Sequence, residues 1–245
     1  EQFPNKVLPS NIEFLIEKGL TIKWCNDLRS HKKYYYALQE QKNNELIITY
    51  DDDIIYEADS IEKLVEAHRK NPDCIICNRG HEMLLLDNGS LDEYSQWKIQ
   101  SSMGVNQPAL LIMPSTGNGC LYPYNCMPKV TFDWDLIKEN ALTADDIWMR
   151  FCSLKNRVKV VKTREEIAIL CNVWGSQKEK LTQFNDLGGE NQRVIERLLK
   201  VFPDDGTTKL YALASLVILS NNITTSLFCS VNLLALSKTI SATFT

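Results

Sequence analysis

The chain has 245 residues, 44% hydrophobic and 24% charged, enough for one large globular domain or one and a half. Its 27 basic and 31 acidic residues give a net charge of −4, which excludes a polycationic nucleic-acid binder. Eight cysteines without disulfide-rich spacing are expected to be reduced and mostly buried, as in a cytoplasmic protein.

Ser10-x-x-Glu13 is a capping-box pattern. Ile12, Leu15 and Ile16 follow at helical spacing, with Gly19 as the stop signal. Residues 20–25 read as a strand, 31–40 as a helix with Tyr35 and Leu38 on its inner side, and 45–50 as the next strand. Asp59 or Ser60 caps an amphipathic helix carrying Ile61, Leu64, Val65 and His68, which Asn71-Pro72 ends. Residues 73–78 are another strand, and this rhythm predicts a mostly parallel sheet flanked by helices.

Residues 79–107 are less regular and read as an insertion or long excursion. A strand at 109–113, a loop at 114–119, a helix from about 143 to 154 and a strand at 157–162 follow. A polar loop at 183–191 precedes a short helix at 192–200. From residue 206 onward the only charges are Lys209 and Lys238. The apolar run 210–219 is broken by Asn221, Asn222, Thr224 and Thr225, too early for a membrane span of about 20 residues. The expected division is therefore 1–203 as the domain and 204–245 as an atypical tail. A membrane-facing hairpin and translation past a frameshift are both open for the tail, the second preferred.

The run Ile47-Ile48-Thr49-Tyr50 leads into Asp51-Asp52-Asp53. Three adjacent carboxylates repel, and desolvating each costs on the order of several kcal/mol unless a cation offsets it. In an extended chain Asp51 and Asp53 project to one side, a compact oxygen site for a hard cation, Mg²⁺ or Mn²⁺. An acidic turn is the plainer alternative. Ligands of open parallel sheets bind beyond the carboxyl ends of the strands. The Thr116-Gly117-Asn118-Gly119 loop and the Ala144-Asp145-Asp146 turn are expected on that same edge.

Phe3-Pro4, Asp27-Leu28-Arg29-Ser30-His31-Lys32-Lys33-Tyr34, Asp51-Asp52-Asp53, Cys77-Asn78-Arg79-Gly80-His81-Glu82, 116–123 from Thr116 to Pro123, and Ala144-Asp145-Asp146-Ile147-Trp148 occur in this order. Together they resemble bacterial GT-A-fold glycosyltransferases similar to glycosyltransferase family 2, of the surface-polysaccharide type, over roughly residues 1–200. The resemblance implies an α/β, GT-A-like fold of the nucleotide-diphospho-sugar transferase kind. Its function would be metal-dependent transfer of a sugar from a nucleotide-sugar donor to a saccharide hydroxyl acceptor. Asp51 and Asp53 would hold Mn²⁺ or Mg²⁺ on the donor diphosphate, with Asp52 beside them. Asp145 or Asp146, Asp145 preferred, would be the general base. Acids in a helix's first turn are also favoured by the macrodipole without any catalytic role.

Thr116, Gly117, Asn118 and Gly119 would shape the sugar or acceptor pocket. Lys32 or Lys33 is a candidate phosphate or nucleotide contact, and Asp27 a candidate for the base or ribose. Trp148, Trp134 and Trp174 read as core residues, with stacking on a sugar the alternative for Trp148. Family members begin with a further strand, helix and strand, the first lining the nucleotide. The resemblance therefore implies an N-terminally truncated domain, acting in the cytoplasm or peripherally at the inner face of the membrane. Some GT-A enzymes add a C-terminal histidine to the metal, but His31, His68 and His81 all fall in the first third. His68 is expected to be packed and His81 to be a candidate pocket residue. Cys74-x-x-Cys77 is expected to divide between the two faces of its strand. An inactive glycosyltransferase fragment and a Mg²⁺-dependent phosphotransferase of the HAD type are the alternatives. The latter is disfavoured by Ile54-Ile55 after the motif and by an expected earlier strand.

Overall fold

A computed structural model describes residues 4–164, 171–173, 185 and 188–203. Trp174, positions 183, 184, 186 and 187 of the 183–191 loop, and the 204–245 tail lie outside the described residues. Among the described residues, helices α1 (Ser10–Glu17), α2 (Tyr35–Glu40), α3 (Ser60–Lys70), α4 (Trp134–Asn140), α5 (Asp145–Lys155) and α6 (Glu190–Val201) accompany eight short strands. These are β1 (Ile47–Tyr50), β2 (Ile54–Ile55), β3 (Ile75–Cys77), β4 (Gly80–Glu82), β5 (Ile112–Pro114), β6 (Asn118–Tyr122), β7 (Val160–Lys162) and β8 (Cys171–Asn172).

The main sheet has the order β1-β6-β3-β7, while β2 pairs with β8 and β4 with β5. β6 is antiparallel to both β1 and β3, and only β3–β7 is a parallel pair. The expectation of a mostly parallel sheet is therefore corrected: the architecture is mixed α/β and the sheet mixed. The cause is β6, whose Asn118 and Gly119 carry a turn signature, so that the stretch 114–119 reads as loop. Past Gly119 the side chains of Cys120 and Tyr122 join one core cluster and Leu121 the other, which is strand alternation. β1, β3 and β7 still share one direction. β6 starts where they end, with Tyr50 opposite Asn118 and Cys77 opposite Cys120.

Two apolar layers hold the sheet. On one side Leu64 of α3 packs with Ile76, Leu121 and Val161. On the other, Ile75, Cys77, Cys120, Tyr122 and Val160 meet α5, α6 and the 83–113 segment. Cys74 and Cys77 fall in different layers, as strand geometry predicts. Cys74, Cys77, Cys120, Cys126 and Cys152 are buried free thiols, and Cys25 is an exposed one. α5 is buried nearly all round, through Ile147, Trp148, Met149, Phe151, Cys152 and Leu154. Its Arg150 is buried too, the guanidinium donating to the Val158 and Leu110 carbonyls and the Ser153 hydroxyl. Those bonds replace part of the water a buried cation loses, the Nε being left without a partner among the described residues.

Local expectations differ in several places. Residues 20–25 form no strand. Residues 31–40 divide into a 3-10 turn, Arg29–Lys33, and α2. α1 forms, but Ser10 is already helical behind Pro9 and makes no capping bond. α4, unanticipated, is capped by the Asp133 carboxylate accepting from the Leu136 N–H at 3.1 Å. α6 begins two residues earlier than expected and ends one later. Among the described residues no helix is long and apolar enough to cross a membrane.

Leu64 is fully enclosed between α3 and the sheet. Leu64→Ala is expected to cost about 2–5 kcal/mol of unfolding free energy, read from the shift in urea midpoint.

Candidate functional site

The carboxyl edge of the sheet gathers four segments. β1 delivers Asp51. The loop entering β6 delivers Thr116 and Gly117. α5 begins with Asp145 and Asp146, and the Arg29–Lys33 turn delivers Lys33. The loop is fixed from below. Thr49 Oγ1 donates to the Thr116 carbonyl at 2.6 Å, and the Asp51 N–H donates to the Gly117 carbonyl at 3.0 Å. The Tyr56 hydroxyl accepts from the Asp51 N–H at 2.9 Å and itself donates to the Gly117 carbonyl. A Cβ on Gly117 would overlap the Asp51 carboxylate where it stands, so a side chain there would displace it.

At the centre is the Lys33 ammonium, its side chain 8% exposed. It lies 2.6 Å from Asp51 Oδ1, 3.4 Å from Asp145 Oδ2 and 3.4 Å from Thr116 Oγ1. Burial alone would lower the ammonium's pKa; Asp145, Asp51 and Asp146 together outweigh it and hold Lys33 above the ordinary lysine value.

Thr116 joins the two carboxyls of α5. Its N–H donates to Asp146 Oδ1 at 2.8 Å, and its hydroxyl contacts both Asp145 Oδ2, at 2.7 Å, and Asp146 Oδ1. A hydroxyl has one proton and two lone pairs. It cannot donate to two carboxylates at once. The arrangement closes when Thr116 donates to Asp145 and accepts from a protonated Asp146 and from Lys33. The electrostatics agree. Burial and then the Asp145 charge push the Asp146 carboxyl up to about 7. Asp145 is also buried, which would raise it, but Lys33 and the Thr116 hydrogen bond hold it well below the usual carboxylate range. The pair shares one proton near neutrality, as closely apposed carboxyls do.

His31 lies beneath this group, fully buried. Its Nδ1 is 2.9 Å from the Tyr34 hydroxyl and its Nε2 is 2.9 Å from the Ala141 carbonyl. A carbonyl only accepts, so Nε2 carries the proton and Nδ1 accepts from Tyr34. Burial lowers the His31 pKa, and the ring is neutral. It steadies the Arg29–Lys33 turn against the end of α4.

The edge thus unites Asp51, Thr116, Gly117, Asp145 and Asp146 of the predicted residues. Asp52 and Asp53 form the turn into β2, so the extended-chain argument for a shared Asp51–Asp53 face stops at Tyr50. Asp53 contributes its carbonyl to the Val173 N–H at 2.8 Å. Asn118 bonds back to the Ser115 hydroxyl at 2.8 Å. Gly119, at φ +88°, packs beneath Asn78 and Tyr50, and both residues serve the strand entry. Lys32 pairs with Asp27 at 3.0 Å, so these two engage each other and Lys33 takes the central place. They adjoin a separate cleft of about 740 Å³ lined by Lys6, Lys23, Trp24, Cys25, Asn26, Tyr36 and Glu40. Trp148 is fully buried and donates its indole N–H to the Thr131 carbonyl at 3.0 Å, which excludes stacking on a sugar. His68 is partly buried on α3, and His81 packs against Tyr94.

A divalent cation does not fit Asp51 and Asp53 as they stand. One Asp51 oxygen is taken by the Lys33 ammonium, and the carboxylate lies against Gly117. Among the described residues no three His, Cys, Asp or Glu side chains are grouped as metal ligands. Sequence reading weighed Lys33 only beside Lys32, and it missed Thr49, Tyr56 and His31. A buried lysine on a polar turn and a threonine in a β-run carry no sequence signal of this role.

The raised Asp146 pKa means that the folded state binds a proton the unfolded chain releases above its ordinary carboxyl value of 3.8. That contribution to stability is complete below the ordinary value and is lost as pH rises through about 7. Asp145 has the opposite sign, its contribution being lost only on acidification below its ordinary value of 3.8. Asp146 therefore contributes a fall in Tm between pH 5 and 8, by about 2–4 °C per kcal/mol, against the opposite contribution below 6.5 of His31, His68 and His81, whose burial lowers their pKa. Asp146→Asn should flatten that slope, as scanning calorimetry at several pH values would show. No family model, curated protein or solved structure matches this chain.

Proposed function

We propose that the chain is a glycosyltransferase, moving a sugar from a nucleotide-sugar donor to a saccharide hydroxyl, with Asp146 as the general base. One observation carries the reading: Asp146 is poised to exchange a proton near pH 7, held by Thr116 beside an Asp145 kept ionised. A base is most effective when its pKa lies near the working pH. The choice of Asp146 over Asp145 departs from the expectation drawn from the resemblance. Asp145 is the acid paired with Lys33, and its depressed pKa makes it the weaker base.

In the proposed reaction an acceptor hydroxyl attacks the anomeric carbon. Its proton passes to Asp146, the bond from that carbon to the diphosphate oxygen breaks, and the nucleoside diphosphate leaves with the bonding pair. Attack opposite the leaving group, with a carboxylate beside the acceptor, gives inversion. Thr116 holds the Asp146 oxygen, and Asp145 and Lys33 fix Thr116. A GT-A-like sheet would present these groups as seen, on the edge where β1, β3 and β7 end. Surface-polysaccharide synthesis at the inner face of the membrane belongs to this reading through the sequence resemblance alone. The resemblance also implies Mn²⁺ or Mg²⁺, but no step is drawn through a metal, because Asp51 is already paired.

One observation favours the phosphotransfer alternative. Residues 20–25 form no strand, so Asp51 follows the first described strand, as a HAD-type nucleophile would. Against it, Asp51 is paired to a buried ammonium and Ile54-Ile55 follow the motif.

A panel of nucleotide sugars, with and without oligosaccharide acceptors, tests the choice. Released nucleoside diphosphate is expected for one donor, with kcat lowered about 10²–10⁴-fold in Asp146→Asn. Turnover of simple phosphomonoesters, lost in Asp51→Asn and kept in Asp146→Asn, would replace the proposal with phosphotransfer.

A further inference from the structure

We infer that the cation of this site is the chain's own Lys33 ammonium, in the place where a divalent ion would otherwise neutralise Asp51. The application to catalysis rests on the glycosyltransferase reading; the occupancy itself does not.

Three features carry the inference. The ammonium is shared by oxygens from three separate segments, Asp51 of β1, Thr116 of the β6 entry and Asp145 of α5. That is what a small cation does at a sheet edge, drawing together acidic groups that would otherwise repel. The Asp51 carboxylate, 31% exposed, is also already engaged. One oxygen is on Lys33, and the group lies so close to Gly117 that a methyl there would overlap it. A divalent ion bound to Asp51 would sit at about 2–2.5 Å from the carboxylate. On Oδ1 that places it against the Lys33 ammonium, so at that oxygen one cation excludes the other. Finally, Lys33 is held from behind. His31, two residues earlier in the same turn, is locked between Tyr34 and the Ala141 carbonyl, so the turn cannot swing away without breaking buried bonds.

The charge balance suits one monovalent cation. Asp51 and Asp145 are carboxylates, Asp146 holds a proton below about pH 7, and Lys33 contributes one positive charge. With the ammonium removed, Asp51, Asp145 and Thr116 would face one another without a cation and become a set of oxygen ligands of the kind divalent ions take. Lys33 is thus a positioning residue: it holds Thr116 and Asp145, and through them Asp146. The transfer reaction should proceed in a chelator.

Mn²⁺ binding tests the occupancy without reference to turnover. Titration of the full chain, followed by the electron paramagnetic resonance of free Mn²⁺, is expected to show no site that Asp51→Asn abolishes. Lys33→Met should gain one site per chain, lost again in the Lys33→Met, Asp51→Asn double variant, whereas Lys33→Arg should gain none. A wild-type site removed by Asp51→Asn would overturn the inference, as would a folded Lys33→Met that binds no Mn²⁺. If Lys33→Met does not fold, amine acetylation of the wild-type chain, read by mass spectrometry, decides. Lys33 should label at least tenfold more slowly than the exposed Lys138, with no change in millimolar Mn²⁺. Mn²⁺-induced exposure of Lys33 would overturn the inference. For catalysis, turnover of the donor found in the panel should be unchanged by EDTA. Strict Mn²⁺ dependence would overturn the assignment while leaving the glycosyltransferase reading intact. Absence of any turnover would count against that reading, with the Mn²⁺ arms still deciding the occupancy.

Discussion

The pairing of one buried ammonium with carboxylates from distant parts of the chain governs this structure. Lys33 and Asp51 are 2.6 Å apart, and Asp145 and Thr116 complete the group. Breaking one side of such a pair is costly, because the remaining charge is left desolvated, commonly by about 3–5 kcal/mol. The pair therefore determines less how stable the fold is than which arrangement it takes. The Arg29–Lys33 turn, the end of β1, the β6 entry and the start of α5 must all meet at one place.

Apolar packing makes that meeting possible. α5 is enclosed on nearly every face, and its first residues cannot retreat to water. Asp145 is carried in with it, and Asp146 alongside, partly covered. β6, running against its neighbours, brings its own beginning to their ends. A chain with a parallel strand in that position would place the Thr116 loop on the opposite edge. The antiparallel insertion and the buried helix together produce the two-carboxyl site.

Much of the scaffold was legible in the sequence. α3 followed from its apolar spacing and α5 from the run after Ala144, while β1, β3 and β7 followed from short β-branched runs. The convergence of Asp51, Thr116 and Asp145-Asp146 on one edge was expected from a parallel sheet, but it arises because antiparallel β6 begins beside the end of β1. The failures have physical causes. β6 was hidden because Asn118 and Gly119 signal a turn locally while the sheet imposes extension. Residues 20–25 have strand composition but belong to none of the described sheets, the Leu20 N–H closing the end of α1 on the Leu15 carbonyl instead. Trp148 sits beside the carboxylates in sequence yet is fully buried in the core, its indole N–H held by the Thr131 carbonyl.

By itself the sequence determined the elements and the acidic character of the edge, because side-chain periodicity and charge are local properties of the chain. Only the tertiary structure decided what answers the acid. Lys33 and Thr116 are 83 positions apart, and His31 and Ala141 are 110. No local pattern distinguishes Lys33 from Lys32, yet one pairs with exposed Asp27 and the other enters the centre of the site. The difference is the direction a single turn gives each side chain, and that is set by the buried bonds of His31.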